Sequence, residues 1–229
     1  MGILRALDAK TAHVPSGTRL SPRWLRRWHD VIVLSDYQRA HLARSAEPMI
    51  VERVAEGAGL LMIGGWGSFS GPFGRWQGSM IERLLPVTCR PGDDRLNFPS
   101  GALILKTASH PLLDGLALDH PPIICGLNDI QPRAQSRVLL CAQRVRYASG
   151  RLTLENRRYP LLAIGPDEVL RTAAFATDVA PHWCGGLVDW GSRRVTLRGT
   201  PSSTLEVGDQ YARFVTRLIR WLARLEIRP

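Results

Sequence analysis

The fold of this chain is decided by the stretch Gly59-Leu60-Leu61-Met62-Ile63-Gly64-Gly65-Trp66-Gly67-Ser68-Phe69-Ser70-Gly71. A short apolar run ends there abruptly in glycines, an aromatic residue and two serines. An apolar run without polar alternation is typical of a parallel strand that is covered on both faces. The glycines allow a sharp turn and a close approach of the backbone to a ligand. The stretch therefore predicts a buried parallel strand that ends in a ligand-facing loop; a tight connection with no ligand is the alternative.

The residues before this stretch complete a strand–helix–strand unit. The β-branched run Val31-Ile32-Val33-Leu34 predicts a buried strand, and the polar Ser35 and Asp36 follow it. Pro48 opens a predicted helix that runs through Glu56. Two strands joined by a helix over about 30 residues indicate a parallel βαβ unit. Earlier in the chain, Ser21 and the proline after it predict the start of another helix, with an apolar stripe formed by Trp24, Leu25 and Trp28.

Downstream, the chain alternates between a long loop, short strands and one long helix. The loop 64–78 is rich in glycine and aromatic residues, and the spacing of Ser79 and Glu82 predicts a capped helix after it. The dipeptide at 149–150, Ser-Gly, lies between alternating runs and predicts a hairpin. Further strands are predicted within 86–106, around the polar turn 91–94, and at 121–126, 137–142, 161–165 and 172–177.

The last predicted helix runs from Leu205 to Leu225. Its apolar residues recur at spacings of three and four, which indicates one buried face. That face consists of Tyr211, Val215, Leu218 and Leu222. The opposite face carries Arg213, Arg217, Arg220 and Arg224, which we expect to be solvated.

Composition favours one α/β domain that spans residues 1–229. The chain is 45% hydrophobic, which is enough for a sizeable core. No apolar run approaches the roughly 20 residues of a membrane span, and the start of the chain lacks the apolar region of a signal peptide, so we expect a cytoplasmic protein without membrane contact. None of the four cysteines forms a Cys-x-x-Cys pair, which favours reduced, mostly buried thiols.

The positive charge of the chain does not favour nucleic-acid binding. The formal net charge is +10, but lysine occurs only at Lys10 and Lys106. The other 28 basic residues are arginines scattered along the whole chain. Such a skew is more typical of a GC-rich genome than of one binding face.

Several of these motifs together resemble the putative glutamine amidotransferase family, a poorly characterised bacterial group related to the ThuA-like proteins. The resemblance rests on residues 31–36, the glycine-rich motif 64–71, Leu-Pro-Val-Thr at 85–88, Ser-His-Pro at 109–111 and Asp-Val-Ala-Pro-His-Trp at 178–183. It covers roughly residues 10–225 and implies a flavodoxin-like, class I glutamine amidotransferase-like, three-layer sandwich. Relatives begin with a strand that this chain has no room for before His13. The sequence therefore predicts either a truncated start or a reduced sheet that lacks the first strand.

The sequence departs from a class I amidotransferase at the nucleophile. The family pattern implies Gly-x-Cys-x-Gly at the end of the second of these strands, with a later histidine that activates the cysteine. Here that position reads Ile63-Gly64-Gly65-Trp66-Gly67, and the next cysteine along the chain is Cys89. We therefore expect no glutaminase activity by the usual route.

Loops at the carboxyl ends of the parallel strands should converge on one ligand crevice. The candidate ligand-binding residues are Ser35, Asp36, Gly64, Gly65, Trp66, Ser68 and Trp183, and the candidate catalytic residues are Asp178 and His182. Asp178 could orient the His182 imidazole as a base; alternatively, Asp178 caps a turn and His182 packs under Trp183. Trp66, Trp76 and Trp183 could stack on a sugar or another ring, although large aromatics more often belong to the core. Asp36, Asp178 and His182 are residue types that bind metals, but no ligand spacing requires a metal site.

Two classes of function remain open from the sequence. One is a small-metabolite hydrolase or binding protein that uses the crevice at the strand carboxyl ends. The other is a non-catalytic ligand-sensing or oligomerisation module. Without its first strand the sheet would expose an apolar edge, so we expect a homo-oligomer. The sequence identifies a small-molecule ligand only as a class, and it identifies no cofactor.

Overall fold

A seven-stranded mixed sheet organises the chain in the computed structural model, which describes residues 2–166, 170–179, 181–200 and 203–227. Numbered along the chain, its strands are, in sheet order, β1 (Val31–Ser35), β2 (Gly59–Ile63), β9 (Thr172–Phe175), β8 (Arg151–Ile164), β7 (Arg137–Ala148), β4 (Arg95–Lys106) and β5 (Ile123–Asn128). Two small antiparallel pairs accompany it, β3 (Val87–Thr88) with β6 (Gln131–Pro132), and β10 (Arg194–Thr200) with β11 (Ser203–Gly208).

The sheet has a parallel half and an antiparallel half. β1, β2 and β9 are parallel, whereas β8, β7, β4 and β5 each pair antiparallel with the strand before them in the sheet. β5 and β7 consequently run in the same direction as the three parallel strands. The carboxyl ends of five strands therefore lie at one edge of the sheet, which is where a ligand crevice forms in open α/β sheets.

Five α-helices accompany this sheet in the described part of the chain. They are α1 (Gly2–Ala6), α2 (Ala46–Ala55), α3 (Met80–Leu84), α4 (Pro181–Cys184) and α5 (Asp209–Leu222), together with single 3₁₀ turns at Pro22–Leu25, Arg39–His41, Pro111–Leu113 and Gly185–Leu187. α2 buries Ile50 and Val54 completely. α5 approaches β2 so closely that a Cβ at Gly59 would collide with Leu222. The architecture is the three-layer α/β type expected from the sequence. No helix among the described residues is long and apolar enough to cross a membrane.

Most of the predicted elements are confirmed. The stretch that decides the fold forms β2, and its residues 59–62 are fully buried. The Ser79 hydroxyl accepts the Glu82 amide proton at the start of α3, as the capping pattern predicts. The predicted hairpin joins β7 to β8, and both Ser149 and Gly150 adopt positive φ, which is the two-residue turn that fits the twist of such strands.

β1 is an edge strand and is only partly buried, whereas the sequence predicts a buried strand. Within the described residues β1 pairs with β2 alone. Ile32 and Leu34 are buried while Val33 is 37% exposed. The β-branched composition predicted the strand correctly, but burial also depends on how many neighbours a strand acquires, and a single-strand pattern does not specify that number.

Three expectations about helices also need correction. α5 begins at Asp209, because residues 203–208 form β11. Arg217 is only 5% exposed and donates to the Asp114 carbonyl oxygen, so the arginine face of α5 is not uniformly solvated. The helix after Ser21 is a single 3₁₀ turn without a side-chain cap, and Trp28 lies outside it, 48% exposed.

The sheet curls strongly at its carboxyl-end edge. β5 is four positions away from β9 in the strand order. Nevertheless the Asn128 amide at the end of β5 donates to the Ala176 carbonyl oxygen just after β9, at 2.9 Å. This closure brings the end of β5 against the glycine turn that follows β2.

Candidate functional site

The glycine turn follows the end of β2, where the family resemblance implies a nucleophile. The Gly64 amide donates to the carbonyl oxygens of Phe175 and Thr177, at 2.8 and 3.0 Å. A Cβ at Gly64 would overlap the Ala176 carbonyl oxygen. Gly65 has φ +139°, and its Cβ would lie 2.5 Å from Asp36 Oδ1. Neither position accepts a side chain in this backbone conformation, because Gly65 is in a region that L-residues rarely adopt and Gly64 has no space.

Asp36 holds the glycine loop from the neighbouring strand end. Its Oδ1 accepts the Gly67 amide proton at 2.6 Å, and its own φ is +46°. Asp36 is exposed and Ser35 is partly exposed. This contact brings Asp36 and the glycine loop together, and Ser35 lies beside Ile63 at the end of the paired strand.

A buried amide–carboxylate pair supports the turn from the other side. Asn128 is fully buried; its Oδ1 accepts the Gly65 amide proton at 2.9 Å, and its Nδ2 donates to Asp94 Oδ1 at 2.7 Å. Asp94 Oδ2 accepts the Ser70 amide proton at 3.0 Å. Burial raises the pKa of the Asp94 carboxyl, and the hydrogen bonds from Asn128 and Ser70 counteract part of that rise.

The loop hydroxyls and the indole of Trp76 are used inside the loop. Ser68 is 1% exposed and its hydroxyl donates to the Ile63 carbonyl oxygen at 2.5 Å. Ser70 donates to the Arg90 carbonyl oxygen. Trp76 is fully buried and its indole N–H lies within hydrogen-bonding distance of the carbonyl oxygens of Tyr37 and Gly67. Trp76 therefore belongs to the core, and Ser68 is not presented to a ligand as a free hydroxyl.

An exposed aromatic surface lies beside the turn. Trp66 is 44% exposed and stacks on Phe73, which is 50% exposed, with ring centroids 6.3 Å apart. The Arg95 guanidinium lies 4.0 Å from the Trp66 ring centroid and forms a bidentate pair with Asp93. Phe73 and Arg95 thus both lie against the Trp66 ring, and Asp93 neutralises the charge of Arg95, so the surface combines two partly exposed aromatic rings with a paired cation.

The second predicted loop begins where β9 ends. Asp178 is buried, and its Oδ2 lies 3.7 Å from His182 Nε2, whose side chain is 62% exposed. Trp183 is 1% exposed: its indole N–H donates to Asn97 Oδ1 at 2.9 Å and its ring packs on Gly126. Trp183 is therefore a core residue in this structure, as the alternative interpretation of the large aromatics holds.

The two predicted loops adjoin through their backbones. Gly64 donates to Thr177, the residue before Asp178. Within the described residues, no hydrogen bond or ion pair joins His182 to Gly65 or Ser68. The glycine turn and the buried Asp178 therefore adjoin, while His182 lies at the surface.

None of the buried thiols is activated. Burial, together with the neighbouring Glu82 carboxylate, raises the pKa of the Cys89 thiol. Burial and the nearby Asp178 raise the pKa of Cys184 to about 12. A cysteine nucleophile needs a lowered pKa, whereas these environments raise the pKa of the thiols and so disfavour catalysis. In the described parts of the chain, no three His, Cys, Asp or Glu side chains are grouped closely enough to bind a metal ion.

Sequence reasoning missed Asp94, Asn128, Phe73 and Arg95. Asn128 directly ends a strand, and a polar residue at a strand's carboxyl end is the same signal that identified Asp36. Asp94 was assigned only to a polar turn. The curl of the sheet that brings Asn128 to Gly65 has no local sequence signature.

Comparison with known proteins supports the fold. The chain is 23% identical to Cytoplasmic Protein STM1381 from Salmonella typhimurium LT2, with a TM-score of 0.69 over 96% of this chain and 84% of that one. It is 26% identical to Cytoplasmic Protein STM3548 from Salmonella typhimurium, with a TM-score of 0.68 over 97% and 83%. A "Putative thua-like protein" from Parabacteroides merdae ATCC 43184 is 16% identical, with a TM-score of 0.50 over 93% and 76%. No curated protein matches the chain.

A family model also matches the sequence of the chain. It carries the description "Putative glutamine amidotransferase" and matches residues 29–195. The matched range exceeds half of the chain and contains β1, the glycine turn and the loop from Asp178 to Trp183. The chain therefore belongs to this glutamine amidotransferase-like family.

Proposed function

We propose that this protein binds a small, ring-bearing ligand at the carboxyl-end crevice and does not hydrolyse glutamine. The observation that carries the proposal is the Gly64–Gly65 turn. The turn has the family's position for a nucleophile, but its backbone excludes any side chain. A thiol could be placed there only by remodelling the junction of β2 with β9.

The surroundings of the turn support binding rather than nucleophilic catalysis. Ser68 and Ser70 donate their hydroxyl protons to backbone carbonyls. The exposed polar and aromatic groups beside the turn are Asp36, Trp66 and Phe73. They provide one carboxylate and two partly exposed aromatic rings, a combination that can orient a ring carrying a donor group.

The absence of glutaminase activity is the first expected result. Purified protein should release no ammonia from glutamine, and an electrophilic glutamine analogue should label no cysteine, because no thiolate lies at the turn. A general thiol reagent should still modify the partly exposed Cys125, which controls for the labelling conditions. Ammonia release from glutamine that is abolished by stoichiometric labelling of Cys89 or Cys184 would contradict the proposal.

A hydrolase that uses His182 as a base is the second candidate. The pair of buried Asp178 with exposed His182 at 3.7 Å favours it. A carboxylate in that arrangement can orient an imidazole towards solvent-borne substrate. The Asp178–His182 distance is longer than a hydrogen bond, so this candidate requires the pair to shorten when a substrate binds.

One ligand screen separates the two candidates. Thermal-shift screening with soluble sugars and heteroaromatic metabolites should give a ligand whose stabilisation is lost in Trp66→Ala. Trp28→Ala is the matched control, because Trp28 is similarly exposed, at 48%, but lies far from the carboxyl end of β2. There its indole N–H donates to Asp30 Oδ1 at 3.0 Å. Retention of binding in Trp66→Ala would refute the binding proposal. Turnover of that ligand that disappears in His182→Ala would establish the hydrolase instead.

A further inference from the structure

The tip of the β7–β8 hairpin is a two-faced ribbon. We use "the ribbon" for residues 145–154. Its cross-strand pairs are Val145 with Leu154, Arg146 with Thr153, Tyr147 with Leu152, and Ala148 with Arg151. Directly opposed residues of an antiparallel pair share a face, and alternate residues along a strand share it too. One face therefore consists of Val145, Tyr147, Leu152 and Leu154, and the other carries the arginines.

The apolar face of the ribbon lies open to solvent. Tyr147 is 67% exposed, Leu152 is 72% exposed and Leu154 is 43% exposed. Tyr147 and Leu152 have the highest exposure among the large hydrophobic residues that the structure describes. They are directly opposed, so they form one continuous patch. Contiguous exposed apolar patches on soluble proteins mark interaction sites.

The ribbon also has two free edges. In the described part of the chain, β4 pairs with β7 only as far as Arg144, and β9 pairs with β8 only at residues 162–164. An isolated two-stranded hairpin is only marginally stable in water. A third strand or a covering surface would therefore stabilise this segment.

We propose that the ribbon forms a homodimer contact, in which its apolar face packs against the same face of a second copy of the chain. The charge distribution of the ribbon favours a second copy of the chain as the partner. The apolar face carries no charged residue, whereas Arg146 and Arg151 point from the other face and Arg144 pairs with Glu155 there at 3.6 Å. Stacked sheets lie about 10 Å apart, so the two arginine faces would point outward, separated by more than the Debye length of about 8 Å.

The arginine face makes a nucleic-acid partner less suitable. Phosphates would contact Arg146 and Arg151 and would leave Tyr147 and Leu152 in water. A second copy covers those two side chains, because a two-fold axis through the pair places each apolar face on its equivalent.

The size of the patch predicts how tight the dimer is. The three exposed side chains offer on the order of 300 Å² per copy. A standard stable interface buries about 800 Å² per partner, so the contact belongs to the weak, reversible class. The ribbon rises from the carboxyl-end edge of the sheet but does not include the glycine turn. The inference therefore does not depend on the proposed function.

Sedimentation velocity over a concentration series tests the proposal. The wild-type chain should shift from monomer to dimer between about 1 µM and about 100 µM. Leu152→Ser should raise the dissociation constant about tenfold or more, because a buried leucine is replaced by a polar residue. Arg146→Ser is the matched control on the opposite face of the same ribbon, and it should leave the constant unchanged. Thermal unfolding of each variant should match the wild type, since the ribbon lies outside the core.

A cross-linking pair gives a second readout. Leu152→Cys lies on the proposed contact face and should form a reducible dimer under mild oxidation, whereas Thr153→Cys should not. A wild-type chain that stays monomeric throughout the series would overturn the proposal. A dimer that persists unchanged in Leu152→Ser would also overturn it and would assign the contact to another surface. A monomer that shifts duplex DNA, with loss of the shift in Arg146→Ser, would assign the ribbon to nucleic acid instead.

Discussion

At the scale of single residues, two glycines and one buried carboxyl define the turn after β2. Gly64 and Gly65 exclude a nucleophile, and the Asp94–Asn128 pair fixes the turn that does so. The sequence predicted the glycines and Asp36, because strand-end residues have a local pattern. It did not predict the burial of Asp94, since a carboxyl in a polar turn is ordinarily exposed. Only the tertiary fold buries Asp94, which is 3% exposed.

The burial of Asp94 predicts a pH-dependent term in stability. Its folded pKa is raised above the ordinary value of about 3.9, so between these two values the folded state binds more protons than the unfolded state. The free energy of unfolding should therefore fall as pH rises through that window. Asp94→Asn lacks this titration, so urea unfolding at a series of pH values should show the wild type losing stability relative to Asp94→Asn as pH rises from about 4.

The neighbouring Asp93 provides a control of opposite sign. Its hydrogen bonds to Arg95 lower its pKa, so its contribution to stability is present above the ordinary pKa and is lost as pH falls. Relative to Asp93→Asn, the wild type should gain stability as pH rises. Parallel pH profiles for the wild type and Asp94→Asn would show that Asp94 does not titrate differently on folding.

At the scale of elements, periodicity predicted which segments are strands and did not predict how they pair. The apolar runs gave β1, β2, β8 and β9, and the Ser149–Gly150 turn gave the hairpin. The direction of β8 and the edge position of β1 depend on contacts between distant segments. The sequence predicts the last helix from Leu205, because helix-compatible residues follow directly. Pairing with β10 makes residues 203–208 a strand instead.

The junction between the ends of β2 and β9 gives a stability prediction. Gly64→Ala should lower the free energy of unfolding by about 3 kcal/mol, because its Cβ would overlap the backbone oxygen of Ala176, which cannot rotate away. Gly17→Ala should change it by less than about 0.5 kcal/mol, since nothing lies within 4 Å of a Cβ there. Chemical denaturation of both variants measures the difference. Equal midpoints would mean that the turn adapts more readily than its contacts indicate.

At the scale of the whole molecule, the sequence predicted the class of fold but not its closure. The resemblance gave the three-layer α/β architecture, and the family match agrees with it. The curl that brings Asn128 to Ala176 arises from four antiparallel strands acting together, so no single segment encodes it. A single domain over the whole chain, and association through the open edge of β1, remain predictions.

The strand order also affects how the chain is made. β2 and β9 are neighbours in the sheet, although their paired residues Leu60 and Thr172 are 112 positions apart in the chain. A ribosome adds about 5 to 20 residues per second, so β9 emerges roughly 5 to 25 seconds after β2. During that interval the nascent βαβ unit presents the unpaired inner edge of β2, an apolar run without a charge or proline. The most aggregation-prone stage in the life of this protein is therefore set by its topology and falls during translation.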